Sequence, residues 1–314
     1  MVRNFNSSGT VSHSVIARTL LASCIATISM GSAACTVAVD REGMTEREEK
    51  RFTVTKAPVD LVLLTFDGNV EVRSWDRAEV LVQIEKRGHD KDSLSTIEVL
   101  SDQKGDTIQV EARRTKSKSS FVGVGFFVGP SAKLIASVPR NTNVKIDTRD
   151  GSVVIERVTG RTDIRTGDGS IRATETGGEL RAETSDGSIQ IEDIAGRVEA
   201  RTGDGSITVS GTPGSLRARS GDGSIVLRIR NGAVMTDDWM VATGDGSVTV
   251  ELPDGFAAQI DADPGSDGRV TNELTLTGSG GGTRDKRPLT GVLGAGGKRL
   301  SIKTGDGRIS LRSY

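Results

Sequence analysis

Apolar and polar residues alternate in short runs through the middle of the chain, and the runs repeat. Val153 and Ile155 are followed by Ile171 and Ala173, Ile189 and Ile191, Ile207 and Val209, and Ile225 and Leu227. A second series interleaves with the first: Thr162 and Ile164, Leu180 and Ala182, Val198 and Ala200, Leu216 and Ala218. A period of two puts each pair on one face of a strand. Turn residues separate the runs. Thr148-Arg149-Asp150-Gly151-Ser152 recurs as Thr166-Gly167-Asp168-Gly169-Ser170, Thr184-Ser185-Asp186-Gly187-Ser188, Thr202-Gly203-Asp204-Gly205-Ser206 and Ser220-Gly221-Asp222-Gly223-Ser224. The aspartates are 18 residues apart, and a glycine follows each by ten: Gly160, Gly178, Gly196, Gly214 and Gly232. Asp-Gly forms tight turns, and glycine supplies the positive φ that many turns require.

Two strands in 18 residues cannot bury an apolar face alone, but stacked copies bury one continuous interior. The pattern predicts an all-β, single-domain parallel β-solenoid (β-helix) with 18-residue, two-strand coils, each about 4.8 Å from the next. The outward residues support that register. Arg161, Asp163 and Arg165 face Glu179, Arg181 and Glu183, which face Arg197, Glu199 and Arg201. Opposite charges meet throughout only if the offset is 18. The next coil, with Ser215, Arg217 and Arg219, breaks the alternation by setting Arg219 beside Arg201.

The following Asp245-Gly246-Ser247 comes after a step of 23, an insertion of five residues placed near Thr236-Asp237-Asp238. Trp239 then continues the inward column of Thr162, Leu180, Val198 and Leu216 as a core filler. Outlying copies of the turn are Asp67-Gly68 and Asp306-Gly307. Residues 51–140 carry less regular strand runs and predict irregular coils, residues 141–255 the regular ones, and residues 256–314 a Gly-rich loop excursion and a closing coil around Leu300, Ile302, Ile309 and Leu311. Phe121-Val122-Gly123-Val124-Gly125-Phe126-Phe127-Val128-Gly129 is the most apolar stretch of the body and predicts a strand or cap over a solenoid end.

Composition fits a thin core. Aromatics are 3% of residues and glycines number 39. Net charge is -1, which gives no electrostatic reason to expect a nucleic-acid partner. The only cysteines are Cys24 and Cys35 and the only histidines His13 and His89, so the body lacks Cys/His nucleophile pairs and thiolate zinc sites.

The leading segment reads as export. Arg3 and Arg18 precede an uncharged, mostly apolar run, then Gly31-Ser32-Ala33-Ala34 and Cys35. Residues 1–34 predict a signal peptide, with cleavage before Cys35 and lipidation of its sulfur. Ordinary cleavage after Ala34 and an uncleaved anchor are the alternatives. Residues 35–50 are polar and without periodicity and predict a tether.

A signal sequence, a short tether and T-G-D-G-S-[I/V] coils resemble the bacterial putative adhesin family, envelope domains of otherwise unknown function. The stretch Leu289-Thr290-Gly291, Gly296-Gly297 and Leu300 to Leu311 looks like that family's closing pattern. The resemblance implies a β-solenoid adhesin-like domain over residues 51–314 and brings no catalytic residues with it. The aspartates Asp150, Asp168, Asp186, Asp204 and Asp222 would form a column of like charge. Asx turns relieve it through local backbone N–H groups, and calcium is the rival reading. The expectation is a non-catalytic, envelope-anchored adhesin or binding scaffold, without cofactor or metal, that meets an envelope protein or surface polymer and the membrane through its lipid. A polysaccharide-active β-helix enzyme, or an accessory or sensory subunit of an envelope complex, is the alternative.

Overall fold

In a computed structural model, residues 36–40, 43–115, 129–278, 284–285 and 287–314 are described. The chain is all-β, with one five-residue helix, Lys91–Ser95, among the described residues. The strands form two long parallel stacks that face each other across a single apolar core.

In the first stack Val70, Val153, Ile171, Ile189, Ile207, Ile225, Val248, Ile309 and Val270 lie side by side. In the second, Ile108, Leu61, Val144, Thr162, Leu180, Val198 and Leu216 do the same. Pairing of Arg217 with Met240 sets Trp239 next to Leu216, and Leu300 and Ile260 follow. All these side chains are buried, as the alternation requires. Trp239 fills the column as expected, donates Nε1–H to the Gly214 carbonyl at 3.1 Å and packs on Phe256 with ring centroids 5.7 Å apart.

The corner after each second-stack strand explains the T-G-D-G-S motif. Its first residue points inward, and its hydroxyl donates to the corner of the rung before. Thr184 Oγ1 donates to the Gly169 carbonyl, Thr202 Oγ1 to Gly187 and Ser220 Oγ to Gly205, each at 2.9 Å. The same oxygens accept the N–H of Gly187, Gly205 and Gly223 in their own turns. Thr65, Thr148, Thr166, Thr243 and Thr304 continue this buried ladder. The expectation that glycine of Asp-Gly-Ser supplies positive φ is corrected: none of these glycines lies in that region. They are glycine because a Cβ at Gly205 would stand 2.1 Å from the Gly187 carbonyl oxygen.

Three further expectations change. First, the rungs are not stacked in chain order at the ends. The rung of Val59–Thr65 and Val70–Trp75 lies between that of Thr107–Arg114 and Ser131–Pro139 and that of Thr142–Thr148 and Val153–Glu156. The last rung, Arg299–Thr304 and Arg308–Ser313, lies between Trp239–Thr243 with Val248–Leu252 and Ala258–Asp263 with Arg269–Asn272. The expected closing coil is thus held on both sides, and Tyr314 pins its end through Oη donating to the Ile229 carbonyl at 2.5 Å.

Second, the stacks are parallel only in their interior. Antiparallel strands cover the ends: Glu79–Gly88 on Ser131–Pro139, Ile97–Lys104 on Thr107–Arg114, and Leu289–Leu293 on Ala258–Asp263. Third, the expected tether is largely strand. Gly43–Thr53 pairs antiparallel with Glu79–Gly88. Its charges hid it, because Glu46 and Glu48 face Lys86 at 3.3 and 3.7 Å instead of an apolar core. Thr36–Asp40 pairs antiparallel with its first five residues, so only its second half is a sheet edge, where charges are suited.

Candidate functional site

Chemistry on this fold must come from outward columns, since inward positions are packed. The two stacks present different columns. The first stack shows Ser170, Ser188, Ser206, Ser224 and Ser247 at its corner, all exposed, then Arg172, Gln190, Thr208, Val226 and Thr249. That face is rich in hydroxyls and nearly neutral.

The second stack carries the charges, in the register read from the sequence. Arg161, Glu179 and Arg197 are neighbours, as are Asp163, Arg181 and Glu199, and Arg165, Glu183 and Arg201. Arg161 reaches Glu179 at 3.8 Å and Arg165 reaches Glu183 at 3.6 Å. Other pairs form along one strand, as Arg201 with Glu199 at 2.5 Å. Arg197 turns to Asp237 at 3.1 Å in the five-residue insertion. Exposed pairs of this kind contribute under about 1 kcal/mol each, so the checkerboard serves register more than stability.

The alternation fails where expected. Arg219 lies beside Arg201, and Arg217 beside Glu199, which is already bonded to Arg201. Among the described residues neither Arg217 nor Arg219 forms an ion pair; Arg219 Nη2 instead meets Met240 Sδ at 3.0 Å. Beyond Arg219 come Ala242 and then Lys303, supplied by the inserted last rung. Arg201, Arg217, Arg219 and Lys303 thus share one stretch of this face, with Glu199 beside Arg217 and with Glu183 and Asp263 at its two borders. Sequence reasoning found the Arg201–Arg219 contact but missed Met240 and Lys303, because only the order of the rungs brings them there. Asp238 was also missed. Its Oδ1 accepts the Arg299 N–H at 2.9 Å and helps seat that rung.

The aspartate column is exposed along one edge. Among the described residues the side chains of Asp150, Asp168, Asp186, Asp204 and Asp222 form no hydrogen bond, so the Asx turns expected there are replaced by the hydroxyl ladder. No three His, Cys, Asp or Glu side chains among the described residues converge as metal ligands. At the column's start, partial burial and the Asp150 charge push the Asp67 carboxyl above the ordinary carboxylate range. At the N-terminal end Asp106 accepts Thr55 N–H at 2.7 Å, and these hydrogen bonds hold its carboxyl below that range.

An open groove of about 340 Å³ lies on the second stack at the C-terminal end, lined by Gln259, Asp261, Thr290, Val292 and Arg299 among others. Arg113, Arg114, Lys116 and Lys118 precede the apolar stretch 121–129, and Arg113 is paired with Glu98 at 2.9 Å. Lys116, Lys118 and residues 121–128 lie outside the described residues, as does Cys35. No described helix is long and apolar enough to cross a membrane.

Residues 60–312 match the family model described as Toastrack DUF4097. Among solved structures the chain is similar to a "putative lipid binding protein" from Parabacteroides distasonis, at 13% identity and TM-score 0.38, covering 84% of this chain and 96% of that one. A "putative adhesin" from Bacteroides fragilis is 11% identical at TM-score 0.36, covering 85% and 97%. A "putative cell adhesion protein" from Clostridium sporogenes is 14% identical at TM-score 0.29, covering 86% and 100%. No curated protein matches the chain.

Proposed function

Because the chain belongs to the Toastrack DUF4097 family, we propose that it is a non-catalytic binding scaffold of the adhesin type, exposed in the cell envelope. The observation that carries this reading is the in-register stacking of the outward columns. Each rung repeats the same surface positions at about 4.8 Å, so the molecule offers long, regular arrays suited to an extended polymer or another protein's surface.

We read the interior stacks as a β-solenoid with 18-residue coils over the regular repeats, from the pairing of Val153 with Ile171 and Ile171 with Ile189. Residues 1–34 act as the signal and Cys35 takes the lipid that anchors the domain. The tether is then shorter than residues 35–50, since Gly43–Thr53 belongs to the sheet. The partner is an envelope protein or a surface polymer, and the aspartate edge is structural.

A binding screen of the full chain against envelope polymers and envelope proteins tests the scaffold reading, which expects capture without any change in the captured molecule. Newly formed reducing ends on a captured polysaccharide would replace it with the enzyme reading. Metabolic labelling with a fatty-acid probe tests the anchor. The wild type takes label and Cys35→Ala does not; equal labelling of both sinks the lipid assignment.

A further inference from the structure

We propose that Arg201, Arg217, Arg219 and Lys303 form the docking site for a short stretch of a linear acidic polysaccharide laid across the rungs of the second stack. This deepens the surface-binding reading and rests on it. Charge alternation holds over the three preceding rungs and fails here, where Arg219 stands beside Arg201. Like charges on neighbouring strands oppose folding. Local rules broken at such a cost mark sites kept for function.

The strip is built for an anion from outside the chain. Arg217, Arg219 and Lys303 are exposed and form no ion pair among the described residues. A guanidinium binds carboxylate through paired N–H donors, so unpaired arginines on a flat face are the natural partners of a uronate. The positions also set the shape of the occupant. Arg201, Arg219, Ala242 and Lys303 follow one another across successive rungs, a run of about 14 Å at strand spacing. Ala242 leaves the track low between its cations.

Both ends of the strip are closed by carboxylates. Glu183 lies beside Arg201, Asp263 beside Lys303 and Asp261 beside Ser301. These carboxylates lie on the track's own line, so it seats only a short acidic stretch of about 14 Å, whereas an anionic membrane pressed on this face would meet carboxylates and cations together. With aromatics at 3% of residues, sugar rings find few stacking platforms, and recognition falls to charge.

The test is binding of the full chain to immobilised polygalacturonate, with dextran as the neutral polymer and phosphatidylglycerol vesicles as the anionic surface. Binding to polygalacturonate alone is expected, and it should weaken as salt rises. Arg217→Ala/Arg219→Ala should lower affinity at least about tenfold. Arg161→Ala/Arg197→Ala removes two arginines already paired with Glu179 and Asp237 and should leave it unchanged, with both doubles melting near the wild type. Equal loss in the two doubles, preference for vesicles, or no binding to polygalacturonate overturns the strip. If the wild type captures some other envelope component and the Arg217/Arg219 double still does, the strip fails while the scaffold reading stands. If it captures nothing, both fail.

Discussion

The middle and the ends of this molecule solve the same packing problem in different ways. In the middle, neighbours in space are neighbours in sequence, with Val153 on Ile171 and Ile171 on Ile189. At the ends, Val153 also pairs with Val70, and Trp239 pairs with Leu300. Raising the loop from 18 to 83 residues, as the numbering of these pairs gives, adds only about 1.4 kcal/mol of closure entropy. What it achieves is a second partner for each inserted rung. Here the first-stack strands of both inserted rungs have a parallel partner on each side, and the exposed edges fall to antiparallel strands rich in charge or very short.

The sharpest way to break this comparison is to remove the inserted rung. Truncation before Arg299 strips Leu300, Ile302, Ile309 and Leu311 from the core, all fully buried. Lost burial of four such side chains is on the order of 6–12 kcal/mol. Hydrogen exchange should show residues 258–272 and 289–293 unprotected, while residues 144–225 keep their protection. A solenoid stacked in chain order would lose only its last coil, so protection persisting over 258–272 would refute the inserted arrangement.

A smaller effect tests the middle alone. Gly205→Ala forces a Cβ against the Gly187 carbonyl, whereas Gly232→Ala has no atom within 4 Å and strains only a φ of +86°. Overpacking should cost the first about 3 kcal/mol and the left-handed backbone should cost the second about 1 kcal/mol. Urea midpoints that fall equally would mean that close approach is not what selects glycine at the corner.

Smaller still is the difference between the two polar groups of that corner. Thr202→Val orphans the Gly187 carbonyl and the Gly205 N–H, at about 1–3 kcal/mol. Asp204→Asn touches an exposed side chain and should stay within about 0.5 kcal/mol. Chelator should leave the melting temperature of both unchanged. A calcium-dependent rise would turn the aspartate edge into a metal site.

The least effect belongs to Asp67, where the N-terminal rung meets the regular ones. Its carboxyl is raised by burial first and by Asp150 second. A raised carboxyl contributes its stability below its unfolded pKa of 3.8 and loses it as pH rises through the folded value. Asp67→Asn should therefore be the more stable protein near neutrality, by roughly a few tenths of a kcal/mol given its exposure. The gap should close in acid. A gap that widens in acid would contradict the assignment.

Sequence alone determined the rungs, their inward pairs, the charge register and the column that Trp239 joins, because a period of two and a spacing of 18 are local facts about side-chain direction. It also marked Arg201 and Arg219 as neighbours. Tertiary structure decided which rung stacks on which at the ends. Leu300 and Ile302 offer the same kind of inward pair as Ile260 and Ala262, so no pattern can rank them over Trp239 and Val241. Contacts such as Asp238 with the Arg299 N–H make that choice. It decided too that the corner is held by the threonine hydroxyl and not the aspartate. Both residues recur with the same period, and only the direction of the chain at the corner turns one into the core and the other to water. Lys303 reaches the arginine strip for the same reason: interchangeable strands were placed by long-range packing.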